Sequence, residues 1–113
     1  STIVRYHIIQ SARLYLNEIA IAAVDHTVPR TIAAQAADEL LNISGIMTSF
    51  VLYPDGDVVF LSARSIGSCN VQVVLEKLGG GGNAATAGAQ IKNKSVREVL
   101  TELVASIDQF YES

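Results

Sequence analysis

The sequence predicts an α/β domain, a mixed β-sheet flanked by helices in a single compact unit. Three observations predict it. Apolar residues recur at helical spacing near both ends, β-branched and aromatic runs flank a turn sequence in the middle, and half of the 113 residues are hydrophobic while only 17% are charged. That composition belongs to chains with a core rather than to disordered ones. A chain of this length makes one domain, burying roughly two-thirds of the surface its unfolded form exposes.

The elements follow in order. Ile3 to Leu16 carries Val4, Ile8, Ile9, Ala12 and Leu16 at helical spacing. Ile19 to Val24 is apolar and uncharged, which predicts a buried strand, although its three alanines are poor strand formers. Asp25 to Val28 reads as a turn, and Pro29 suits the first turn of a helix. Thr31 to Leu41 is helical in pattern, and Gly45 closes that segment. Ile46 to Tyr53 and Val58 to Ala63 predict a β-hairpin around Pro54-Asp55-Gly56-Asp57. Asn70 is placed to cap a helix from Val71 to Leu78, which Gly79 to Gly82 stops. Ala87 to Ile91 reads as a last strand. Ser95 and Glu98 form a capping-box pattern that opens a final helix to about Tyr111. Such a mixture implies a sheet covered by helices on at least one face.

Bulk properties exclude several functions. The net charge is −3, so any phosphate contact must come from a local site rather than a general attraction to nucleic acid. Cys69 is the only cysteine, which rules out an internal disulfide and a cysteine-rich zinc site and fits a reducing cytoplasm. The longest apolar run, Ile19 to Val24, is too short to cross a bilayer. The chain reads as helix almost from Ser1, as a piece of a longer protein would.

Two segments carry candidate chemistry. Four consecutive glycines, Gly79 to Gly82, precede Asn83. Either their backbone N–H groups converge on an anion, or they cap a helix and continue into a loop; the residues alone weigh evenly. The pattern is neither a P-loop nor a dinucleotide fingerprint. Ser62-Ala63-Arg64-Ser65 ends the predicted hairpin, where an arginine can fork onto a phosphate or pair with a surface carboxylate. Other polar residues have simpler readings. Asp25-His26 is a solvated turn rather than a metal pair, Asp55 and Asp57 are turn residues, and Cys69 is a packed, inert thiol.

Taken together, Ser62-Ala63-Arg64-Ser65, Gly67, Asn70-Val71-Gln72, Leu78-Gly79-Gly80-Gly81-Gly82 and Ala87-Gly88-Ala89-Gln90 resemble the DHH-associated domain of DHH-family phosphoesterases. The similarity covers nearly the whole chain and is greatest to the GdpP-type cyclic-di-AMP phosphodiesterases, to which Ala34 to Leu41 is also similar. One departure is Asn83, where that family usually has histidine; a neutral amide replaces a group able to carry charge. The other is the absence of an Asp-His-His motif.

The resemblance implies a substrate-binding domain, spanning 1–113, of a longer metal-dependent hydrolase. Its catalytic metal, manganese, would be held by a different domain of the same polypeptide, and this chain would contribute no metal ligand, cofactor or catalytic residue. The expected substrate-binding residues are Ser62, Arg64, Ser65, Gly80, Gly81, Gly82 and Asn83. Arg64 would hold a phosphate, Gly80 to Gly82 would supply backbone donors, the start of the helix after Asn70 would border the site, and Ser62, Ser65 and Asn83 would orient the nucleotide. The expected ligand is a cyclic dinucleotide, with a short oligonucleotide in a nanoRNase-like enzyme, or a sensed nucleotide in a non-catalytic module, as alternatives. A homodimer and a membrane-anchored parent with this domain in the cytosol fit the same resemblance.

Overall fold

The computed structural model describes residues 1–113, and in it four helices flank a six-stranded sheet. Helix α1 (Thr2–Ser11) leads to strand β1 (Arg13–Tyr15), which pairs antiparallel with β2 (Ile19–Ala23). Helix α2 (Arg30–Leu40) crosses to β3 (Thr48–Asp55), which lies parallel to β2. Strand β4 (Val58–Ser65) completes a hairpin with β3 through Gly56 and Asp57. Then come α3 (Val71–Glu76), the two-residue β5 (Gly81–Gly82), β6 (Thr86–Lys92) and α4 (Val96–Glu112). The strand order is β1-β2-β3-β4-β6-β5, and β2–β3 is its only parallel pair.

Successive residues along each strand bury into opposite layers. Ile19, Ile21, Phe50, Leu52, Val59 and Leu61 pack with α3 and α4. Ala20, Ala22, Val51 and Tyr53 pack with α1 and α2. The alanines that weaken β2 as a strand by propensity suit it here. They meet Ala33, Ala36 and Ala37 of α2, all fully buried, so helix and sheet approach closely. The Ser49 hydroxyl donates to the Ala37 carbonyl at 2.6 Å, fastening β3 to that helix. On the opposite face the Ser106 hydroxyl donates to the Val74 carbonyl at 2.6 Å, fastening α4 to α3. The capping box forms: Ser95 Oγ accepts from the Glu98 amide and the Glu98 carboxylate accepts from the Ser95 amide. Those bonds hold the Glu98 pKa below its usual value.

Three expectations are corrected. The first helix stops at Ser11 rather than Leu16, because residues 13–15 gain more by pairing with β2 than by continuing a helix. The chain reverses there through Leu16 and Asn17, with φ of 51° and 68°. The helix after Asn70 ends near Glu76, and the glycine run contains a strand rather than only a helix stop. Pro54 lies inside β3 without loss: its carbonyl accepts from the Thr27 hydroxyl, on the side away from β4, where no strand requires an amide donor.

The two faces are covered unequally. Helix α2 packs on β3 and β4 and leaves β6 and β5 without a helix on that face, so a stretch of sheet from β4 to β5 stays open.

Candidate functional site

The open part of the sheet is the floor of a cleft of about 560 Å³. Alternation along β4 turns Phe60, Ser62 and Arg64 toward it, while Val59, Leu61 and Ala63 enter the core beneath. On β6 the same rule turns Gly88 and Gln90 into the cleft and Ala87, Ala89 and Ile91 into the core. Strand register sets these residues in rows: Tyr53, Phe60 and Gln90 in one, then Val51, Ser62 and Gly88, then Ser49, Arg64 and Thr86. Arg30 and Ala34, four residues apart on α2, form one wall, and Gly79 to Gly81 form the other.

Arg64 sits at one end, its side chain 18% exposed. Its Nε donates to Asp38 Oδ1 at 2.8 Å and Nη1 to the Ala63 carbonyl at 2.9 Å. The carboxylate pairing read as one alternative is therefore present. It does not exhaust the guanidinium, which has five N–H donors and borders the cleft. Asp38 follows Ala34 by four residues on α2, so the helix that walls the cleft also fixes the direction of the arginine.

The glycines have physical reasons of their own. Gly79, at φ 83°, closes α3: its amide donates to Glu76 and that of Gly80 to Leu75, the crossed pattern of a left-handed helix stop. A Cβ on Gly80 would stand 2.4 Å from the Gly88 carbonyl oxygen, so the bare backbone is what lets this segment lie against β6. The Gly80 amide is thus spent inside the fold, which corrects its assignment as a free donor to phosphate. What the glycines give the site is a thin wall.

Several expected site residues are placed elsewhere. Ser65 is buried on the opposite face, its hydroxyl 3.2 Å from Thr48 Oγ1 and accepting from the Gly67 amide. Strand parity explains this, since Ser65 is one residue out of step with Ser62 and Arg64. Ser65→Ala should therefore lower stability by about 1 kcal/mol in urea unfolding and leave nucleotide affinity unchanged; a loss of affinity in a fully folded variant would return Ser65 to the site. Gly82 and Asn83 lie beyond the cleft lining. Asn83 Oδ1 accepts from the amides of Ala85 and Thr86, both at 2.9 Å, and so builds the β5–β6 turn. No residue between Asn70 and Leu78 lines the cleft; Asn70 Oδ1 instead accepts from Gln72 and Val73 to cap α3.

Arg30 and Phe60 enter the cleft without having been singled out in the sequence, and Gln90, named there only as part of the family motif, enters it as well. Period-two alternation from Arg64 would have found Phe60, but nothing local indicates that this half of the sheet face is uncovered. Tyr53 has its hydroxyl pKa raised by burial and partly offset by the nearby Arg30 charge. Burial likewise pushes the Cys69 thiol upward, and the residue is 1% exposed. Asp25 and His26 are an exposed neighbouring pair, and no group of three or more His, Cys, Asp or Glu side chains is close enough to hold a metal ion. The side chains present do not fit a metal centre. No helix is long and apolar enough to cross a membrane.

The DHHA1 domain family matches residues 16–113. The chain belongs to that family. As a DHHA1 domain it is 40% identical over 111 residues to the cyclic-di-AMP phosphodiesterase PdeA of Listeria monocytogenes, a match covering 95% of this chain and 17% of that protein. It is 40% identical over 117 residues to the cyclic-di-AMP phosphodiesterase GdpP of Bacillus subtilis, covering 99% of this chain and 18% of that protein. The chain thus spans less than a fifth of the length of these curated relatives. Among solved structures, an exopolyphosphatase-related protein from Bacteroides fragilis shares the fold with a TM-score of 0.83 at 14% identity, covering 96% of this chain and 34% of that one. The C-Ala domain of alanyl-tRNA synthetase from Aquifex aeolicus shares it with a TM-score of 0.62 at 17% identity, covering 80% of this chain and 95% of that domain. The fold thus occurs in proteins of different kinds, and it does not by itself give the chemistry.

Proposed function

We propose that this DHHA1 domain holds the substrate of a metal-dependent phosphodiesterase that hydrolyses cyclic dinucleotides, cyclic-di-AMP first among them. The observation that carries this reading is the cleft itself. Two arginines, Arg30 and Arg64, border one open stretch of sheet in an otherwise acidic chain. The 40% identity to the matching stretch of two cyclic-di-AMP phosphodiesterases supplies the substrate class.

In this reading Arg64, aimed by Asp38, neutralises a phosphate oxygen through charge-assisted hydrogen bonds, and the Ser62 hydroxyl lies one row away for a second contact. Gly80 and Gly81 keep the wall low enough for the sugar-phosphate to lie down. Positioning of this kind accounts for a large part of phosphoryl-transfer catalysis. The metal, expected to be manganese, would be held by another domain of the parent protein and would supply the activation of water.

Titration calorimetry of the 113-residue chain with cyclic-di-AMP and with linear pApA tests the reading. Saturable binding that weakens with added salt is expected. Absence of saturable binding for either nucleotide overturns it. In a companion incubation with cyclic-di-AMP and excess manganese, the chain alone should release no product. Turnover that survives repurification would place a catalytic centre within these residues.

A further inference from the structure

Phe60 is half-buried and lies in the open part of the sheet, between the Arg64 end of the cleft and an adjoining hollow formed with Thr27, Pro29 and Arg30. Its ring is stacked on Tyr53, with centroids 5.4 Å apart and planes 9° from parallel. Tyr53 is 3% exposed and so is a fixed support. Sheet order places Tyr53 on the β3 side of Phe60 and Gln90, its direct register partner, on the β6 side. One face of the Phe60 ring is therefore covered, and the side toward β6 is flanked by an exposed amide. No hydrogen bond within the protein occupies the Gln90 side chain, and Arg30 borders the same end of the cleft.

We infer that Phe60 and Gln90 form a base-reading subsite, with adenine as the base it takes. The inference rests on the nucleotide reading of the cleft and adds to it where the base lies and which residues select it. A base extending the Tyr53–Phe60 stack would lie over β6, with its edge at the Gln90 amide. A glutamine amide donates to one atom and accepts from its neighbour, which matches N7 and the N6 amino group of adenine. Phe60 and Arg64 are four residues apart on one strand, about 13 Å along it, so the base subsite and the phosphate contact stand at opposite ends of the cleft. Arg30 flanks the base end, where its guanidinium can approach a second phosphate or the face of the base.

The test uses Phe60→Leu, which keeps apolar volume at the site, and Gln90→Ala, which alters an exposed side chain. Binding of pApA, pUpU and inorganic pyrophosphate is measured for the wild type, both variants and Arg64→Ala. Phe60→Leu should weaken pApA by about 5- to 150-fold, the range of one lost stacking contact, and leave pyrophosphate unchanged. Gln90→Ala should reduce the preference for pApA over pUpU. Arg64→Ala should weaken all three ligands. Unchanged pApA affinity in Phe60→Leu, or an unchanged base preference in Gln90→Ala, overturns the subsite while leaving the nucleotide cleft standing. A wild type that binds pyrophosphate but neither dinucleotide overturns the nucleotide reading, and the subsite with it.

Discussion

Arg64→Ala should cost about 2–3 kcal/mol of dinucleotide affinity, roughly 30- to 150-fold, because a charged hydrogen-bond pair is lost from the cleft. The chain's net charge of −3 offers no general attraction to replace it. Arg64→Lys should recover only part, since an ammonium cannot reproduce the planar fork that donates to Asp38 while facing the ligand. Stability should move much less. The Asp38 side chain is 65% exposed while that of Arg64 is 18% exposed, and an ion pair with one partner so open to water contributes about 1 kcal/mol. Calorimetric titration and urea unfolding on the same samples check both halves. Full affinity in Arg64→Ala would move the phosphate site elsewhere. Lost stability with affinity retained would make Arg64 only the partner of Asp38.

The second large effect is expected at Gly82. Its φ is 148°, a region that side chains rarely adopt, and an added Cβ would stand 2.3 Å from the Thr86 carbonyl oxygen. Gly82→Ala should therefore destabilise the domain by about 2–4 kcal/mol, combining backbone strain with overpacking at the β5–β6 pairing. Gly81→Ala is the internal control. No atom lies within 4 Å of its Cβ position and its φ is not positive, so the fold should tolerate it. Because Gly81 lines the cleft, that variant should instead weaken ligand binding modestly. Equal unfolding midpoints for Gly81→Ala, Gly82→Ala and wild type would show that β5 is not held as described.

These two adjacent glycines show how far a motif can be read. The run stands out in the sequence, and its two readings weigh evenly there because both use the same backbone freedom. The structure divides them by position. Gly79 stops a helix at positive φ, Gly80 and Gly82 permit close approach to β6, and Gly81 alone has both open space at its Cβ position and an ordinary φ. Arg64 divides similarly: the ion pair and the cleft contact are not alternatives but two sides of one guanidinium.

The sequence by itself determined the α/β class, α2, the β3–β4 hairpin, the capped α4 and the family. Each rests on local periodicity, turn chemistry, capping or a motif whose residues lie near one another in the chain. Tertiary structure alone decided the rest. The edge strand β1 exists because β2 is beside it, against a helical pattern that continued through Leu16. Ser65 is excluded and Phe60 and Gln90 are admitted by the face each strand turns to the cleft. Strand parity could have separated Ser65 from Arg64 in advance. Which face is left uncovered depends on where α2 lies across the sheet, a packing outcome between segments distant in sequence, and no local pattern encodes it.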